Sequence, residues 1–189
     1  MNKHTEMKHR HIITFAMVVF SMLSLSSCVR QKLEQTYSKQ EETIDKYIKN
    51  ALTSSKEATV TYSNGSSRLT RKQGEGEELK PNGTVSFYYA GYVFSGNLSK
   101  DNLFCTNHQE TASDAKWELT DEEYDILTVH LNESGFIEGL RNGLVGVKAG
   151  EECEILFSGK YGFGNKPFGT IPANSALLYK IWVESISND

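Results

Sequence analysis

The sequence predicts an α+β fold, a mainly antiparallel sheet with one short helix against its concave face. Two observations lead there. After Arg68 the chain carries four runs dense in β-branched and aromatic residues, and between the second and third of them only "FIEGLRNGLVGV", Phe136 to Val147, has helical spacing. At 189 residues the chain is long enough for one domain with a short extension.

The elements begin with a segment outside the fold. Lys3, Lys8 and Arg10 precede an apolar run of 14 residues, Ile12 to Leu25, with small residues after it. That order is a secretory signal, because a spanning helix needs about 20 apolar residues. "LSSC", Leu25 to Cys28, resembles the lipobox of bacterial lipoproteins, which implies lipidation of Cys28 and a domain tethered to a membrane surface by acyl chains. Residues 1–27 are therefore expected to be the signal peptide and residues 28–67 a lipidated N-terminus and helical spacer, followed by a compact domain over 68–189. Without residues 1–27 the chain has 17 Lys+Arg against 23 Asp+Glu, a net of −6, which argues against nucleic acid as a partner.

From Val29 to Leu52 the chain is polar, with Leu33, Tyr37, Ile44, Ile48 and Leu52 at helical intervals and a gap between Tyr37 and Ile44. This narrow stripe suits three roles: packing on the domain, pairing of a homodimer through residues 29–52, or a plain spacer. Two strand-like pieces flank Asn64-Gly65, a hairpin signal. "TVSFYYAGYVF" alternates Val85, Phe87 and Tyr89, and "YDILTVHL" alternates Ile126 or Leu127 less cleanly. "EECEILFSG" places Cys153, Ile155 and Phe157 on one face. "SALLYKIWVESI" puts Leu177, Tyr179, Ile181 and Val183 on one face and Leu178 and Trp182 on the other. In the short helix, Ile137, Leu140 and Leu144 recur at three and four. Gly139 and Gly143 weaken it by about 1 kcal/mol each while smoothing its flank for close contact with a sheet.

Several chemistries are excluded by pattern. "KYGFGNKPFGTIPANS", Lys160 to Ser175, is glycine-rich, yet its order G-x-G-x-x-x-x-G followed by an extended run fits neither a Walker loop nor a dinucleotide loop. His108 and His130 stand alone, so no metal site has ligand spacing, and no cofactor is expected. An oxidising envelope permits a bridge between Cys105 and Cys153, although two cysteines do not establish one. The triplets at Asn64, Asn82, Asn97 and Asn132 fit an N-glycosylation pattern; in a bacterial lipoprotein they mark turns. What stands out is an apolar set too large for core alone: Tyr89, Phe94, Phe104, Phe136, Ile137, Phe163, Ile171 and Tyr179.

"GTVSFYYAGYVFSG", "LFCTN", "FIEGLRNGLVGVKAGEECEILFSGKYGFG" and "TIPANSALLYKIWV" resemble, in order and spacing, the successive blocks of the FK506-binding-protein family of peptidyl-prolyl cis-trans isomerases, from about Gly74 to Val183. The helix over 29–52 resembles the extension of lipoprotein members in the Bacteroidetes. The resemblance implies an antiparallel sheet of five or six strands curled around one short helix, with a proline-binding cavity between them. It implies Tyr89, Phe104, Phe136, Ile137, Phe163 and Tyr179 as the catalytic surface, with Cys105, Leu127, Leu140 and Ile171 binding substrate. The Ile137 N–H would receive a substrate carbonyl.

Three departures from the family pattern stand out. Cys105 replaces an aspartate, Phe163 a tyrosine and Leu140 a frequent tryptophan, so the cavity stays apolar and loses two polar handles. The implied function is isomerisation of X-Pro bonds in envelope proteins, assisting their folding. The rivals are a catalytically weak proline-peptide-binding or chaperone module and a structural surface lipoprotein. The implied partners are proline-containing clients, and the implied place is the outer membrane, facing the periplasm.

Overall fold

The computed structural model describes the backbone of residues 3–189 and the side chains of residues 29–189. Cys28 and residues 1–27, the stretch expected to be a signal peptide, lie outside the residues whose side chains are described. Contacts divide the chain into two compact units, residues 1–38 and 39–189. The first is helical, the leading part of α1 (Lys3–Ser54). Among the described residues no helix is long and apolar enough to cross a membrane.

The second unit contains the remainder of α1, seven strands and two further helices. In chain order these are β1 (Thr59–Ser63), β2 (Ser66–Lys72), β3 (Thr84–Val93), β4 (Leu103–Thr106), α2 (Gln109–Ala115), β5 (Leu127–His130), α3 (Glu138–Leu144), β6 (Glu152–Phe157) and β7 (Leu177–Ser187). The β1–β2 hairpin turns at Asn64 and Gly65, whose φ values of 44° and 83° are the left-handed pair that an Asn-Gly hairpin turn requires. The strands pair antiparallel in the order β1-β2-β6-β7-β3-β4, with β5 also on β3. β4 pairs with Ala90 to Tyr92 and β5 with Thr84 to Phe87, so the two short strands share one edge of β3. β7 runs along the other edge, from Thr84↔Ser187 to Val93↔Leu177.

The expected fold is corrected here. The sheet has seven strands rather than five or six, and its strand order is an open path from β1 to β4 instead of a sheet curled around one helix. The β1–β2 hairpin extends one end, and both faces of the central strands are apolar, so both need cover. In β7, Leu177, Tyr179, Ile181 and Val183 join a core with Phe87, Ile155, Phe157, Leu140 and Leu144, while Leu178 joins Leu156, Tyr92, Phe94 and Leu103 on the opposite face. That opposite face is covered by α1 through Ile44 and Ile48, 3% and 0% exposed. These two stripe residues are thereby committed to the chain's own sheet and are not available to pair with a second copy.

α3 owes its position to its glycines and to β2. A Cβ at Gly139 would overlap the Phe157 ring, and one at Gly143 would overlap Ile155, so only glycine lets the helix backbone lie this close to β6. The buried Arg68 of β2 donates to the carbonyls of Gly143 (3.1 Å), Val145 (2.8 Å) and Gly146 (3.2 Å), satisfying the end of the helix. Its Nε lies 3.3 Å from Glu151 Oε1, an ion pair without aligned hydrogen-bond geometry. Glu151 also accepts from Thr70 Oγ1 at 3.0 Å and from the Lys148 N–H at 3.1 Å.

Candidate functional site

The site is built around Tyr89 in the middle of β3. Its backbone N–H donates to Asn107 Oδ1 at 2.6 Å, and its carbonyl accepts from Thr106 Oγ1 at 2.7 Å. Asn107 is buried and uses its Nδ2 to donate to the Asp125 carbonyl at 2.9 Å. One amide side chain therefore ties Tyr89 to the segment that enters β5. β4 lies beside Gly91, where a Cβ would crowd Cys105 Sγ and the Phe104 ring. Phe104 meets Tyr179 edge to face, centroids 5.8 Å apart at 85°, and Tyr179 stacks on Phe157 at 6.1 Å.

α3 starts at Ile137, its N-cap, which has no side-chain capping bond. The Ile137 carbonyl accepts from the Arg141 N–H at 2.9 Å, whereas its own N–H has no partner among the described residues. Arg141 donates to the Glu133 carbonyl at 2.7 Å and holds the approach to the helix. The glycine-rich loop follows β6. Phe163 stacks on Phe168 with centroids 4.7 Å apart and planes at 7°, and Phe168 and Ile171 exchange backbone hydrogen bonds of 3.0 and 2.9 Å.

Of the ten residues expected to act on a substrate, the structure gathers nine into one apolar cluster. Leu140, Ile171 and Tyr179 are buried in it, and Tyr89, Phe104, Cys105, Phe136, Ile137 and Phe163 are partly buried against it. Leu127 stands apart at the edge on β5, 37% exposed. A cavity of about 500 Å³ joins it to Tyr89, Phe104 and Cys105, with Trp117 and the acidic Glu122, Glu123 and Asp125 on its outer wall. Sequence reasoning missed that outer wall and the role of Asn107. The signal was present in "LFCTN", where an asparagine directly after a strand favours side-chain bonds to nearby backbone.

Burial holds the polar atoms of the site neutral. It pushes the Cys105 thiol up to about 12, against a weaker downward pull from a backbone bond to Gly91. Burial also raises the phenol of Tyr89, with Cys105 adding to it, and raises Tyr179 well above the ordinary value. Such a site offers rings and neutral donors, which suit an apolar ring flanked by carbonyls. Among the described residues no group of three His, Cys, Asp or Glu could hold a metal. Cys105 on β4 and Cys153 on β6 are both free. β7 and β3 stand between them, a span of about 14 Å that no disulfide bridges.

Comparisons with known proteins agree with this geometry. Residues 75–184 match the family described as FKBP-type peptidyl-prolyl cis-trans isomerase. FK506-binding protein 1 of Aspergillus oryzae is 23% identical over 117 residues, covering 62% of this chain and 94% of that protein. Among solved structures, the three FKBP domains of wheat FKBP73 superpose with a TM-score of 0.54 at 21% identity, covering 70% of this chain and 52% of that one, so the chain spans about half of the wheat protein. FkpA from Escherichia coli superposes with a TM-score of 0.53 at 20% identity, covering 93% of this chain and 71% of that one. At these identities the structures speak for the fold alone, whereas the matched span covers more than half of the sequence. An open antiparallel sheet carrying a glycine-faced short helix, with its rings gathered between them, is in this chain the domain of the FKBP-type peptidyl-prolyl cis-trans isomerase family, to which the protein belongs.

Proposed function

We propose that the chain isomerises X-Pro bonds of envelope proteins as a lipoprotein anchored through Cys28, resembling members of the family in the Bacteroidetes. Residues 1–27 serve as the signal and residues 28–67 as the connection to the isomerase domain at 68–189, on the outer membrane facing the periplasm. The observation that carries the isomerase reading is the shared apolar cluster of Tyr89, Phe104 and Tyr179 with Phe136 and Ile137 at the start of α3.

An X-Pro bond resists rotation by about 18–20 kcal/mol because twisting ends the amide resonance. In the twisted state the carbonyl oxygen carries less negative charge and needs water less. A dry pocket that grips the proline ring therefore favours the twisted state over the planar one. Tyr89, Phe104, Phe136, Phe163 and Tyr179 supply that grip, and Leu140 and Ile171 its base. Leu127 and Cys105 line the open side. The Ile137 N–H orients the neighbouring carbonyl, so no nucleophile or proton relay takes part. Uncatalysed isomerisation takes tens of seconds or longer, so even modest catalysis assists a folding client.

The neutral Cys105 thiol and the Phe163 ring favour a second reading, a chaperone-like module that binds proline segments with weak turnover. Isomerase activity on a short X-Pro peptide decides between them. The first reading expects turnover by the wild type that is lost in Phe136→Asp and reduced in Tyr89→Ala. A folded wild type without turnover that still suppresses client aggregation supports the second reading and overturns the first. Mass spectrometry of membrane-associated protein should find an acylated Cys28, and a mature terminus elsewhere defeats the anchor.

A further inference from the structure

The loop that carries Phe163, Phe168 and Ile171 leaves β6 at Ser158 and returns at Asn174. Its two ends lie against each other, since a Cβ at Gly159 would overlap the Asn174 backbone. Both ends are held by one side chain from outside the loop. Gln40 of α1 donates from Nε2 to the Asn174 carbonyl at 2.7 Å and accepts from the Gly159 N–H on Oε1 at 2.9 Å. The next residue, Glu41, accepts from Ser158 Oγ at 3.2 Å on Oε1. Within the loop, the Asn174 N–H donates to the Gly164 carbonyl at 2.8 Å, so a displacement at Asn174 is transmitted directly beside Phe163.

We infer that Gln40 is a positioning residue for the proline site: its amide clasps both ends of the loop and thereby sets where Phe163 and Ile171 stand. An amide suits this task because it offers one donor and one acceptor on adjacent atoms, matching one carbonyl and one N–H. The inference rests on the proposed isomerase reading for its functional consequence, and on geometry alone for the clasp. It also gives the C-terminal part of α1 a share in the site. The family-matched residues 75–184 do not include Gln40.

The test compares three full-length variants by amide hydrogen exchange and by peptide turnover. Gln40→Ala should speed exchange at the Phe168 and Ile171 amides about tenfold and raise KM for an X-Pro peptide about five- to tenfold, with kcat within twofold of wild type; loss of one or two hydrogen bonds has this size. Gln40→Glu keeps the acceptor for the Gly159 N–H and loses the donor for the Asn174 carbonyl, so it should loosen Phe168 and Ile171 while leaving Gly159 protected. Tyr47→Phe removes a different bond of the same helix, the 2.9 Å contact to Glu154 Oε2, and should leave loop exchange and KM unchanged. Unchanged exchange in Gln40→Ala overturns the clasp, as does equal loosening in Tyr47→Phe, which would reduce Gln40 to general helix packing. A loosened loop with unchanged KM overturns its role in the site. A wild type without turnover sinks the isomerase reading instead, and the exchange data still decide the clasp.

Discussion

On one face of the sheet Ile44 and Ile48 of α1 sink among Leu156, Leu178 and Phe94, whereas on the other Tyr89, Phe104, Phe136 and Phe163 stay partly exposed around an equally buried base. The same strands build both faces. The difference lies in the helices that cover them. α1 presents branched side chains that fill the space above β6 and β7, and so closes its face. α3 is only seven residues long, and its glycines bring it down on Phe157 and Ile155, leaving the rings beyond it without a cover. A short helix drawn close leaves a rim of exposed rings around a solid floor, which is what a site for an apolar ring needs.

The sharpest way to break this comparison is a pair of substitutions, one on each face. Ile48→Ala should cost about 2–5 kcal/mol in urea unfolding, because it empties a fully buried position, and should leave kcat/KM of the surviving folded protein near wild type. Phe136→Asp should retain the fold, since the residue is only partly buried, and reduce turnover about a hundredfold or more by placing a charge against the pocket. If Ile48→Ala impairs turnover in folded protein as strongly as Phe136→Asp does, the two faces are not functionally separate.

A smaller effect concerns the polar atoms of the open face. The double variant Cys105→Asp with Phe163→Tyr should raise kcat/KM about tenfold, from two hydrogen bonds of about 0.5–1.5 kcal/mol each. No gain would show that neither side chain limits catalysis. On the closed face, Tyr47→Phe should lower stability by about 1 kcal/mol, because Glu154 keeps its bonds from Arg71 at 3.0 and 3.3 Å. Chemical denaturation reads this directly, and a loss above about 3 kcal/mol would contradict it.

The smallest effect is one of pH. His108 stacks on Trp182 with centroids 3.8 Å apart, and burial lowers its pKa below the ordinary 6.5, with Lys180 also lowering and Glu110 and Glu152 raising it. The charged form is disfavoured in the folded state, so the contribution is whole above about pH 6.5 and is lost as pH falls through the folded value. Thermal unfolding between pH 7.5 and 5 should show a decline that His108→Gln flattens; an equal decline in both would remove His108 as its cause.

Much of this arrangement was legible in the sequence, because period-two alternation in β3, β6 and β7 reports a face directly. The Asn64-Gly65 turn was legible for a similar reason, as few other pairs accept two positive φ values. The openness of the sheet was not legible. It depends on which edges pair, and β4 and β5 are only four residues each, too short to state a partner. α2 escaped notice because its seven residues are held by contacts rather than propensity: His108 caps it and Ala112 is buried beneath it. The stripe of α1 was visible, but not that Ile44 and Ile48 would seat on the far face of the sheet, since a stripe records apolarity and not its partner. Asn107 and Gln40 look like ordinary polar residues until the backbone groups they bind are brought near in space.

The pairing of β3 with β7 along nearly its whole length, from Thr84↔Ser187 to Val93↔Leu177, has a consequence for how the protein is made. β3 meets its principal neighbour only after the intervening chain has been synthesised. Until β7 emerges, the apolar side chains of β3 have no lasting shelter, and β6 lacks one of its two neighbours. The β3–β7 pairing joins residues of large sequence separation, the kind of contact that forms slowly compared with local ones.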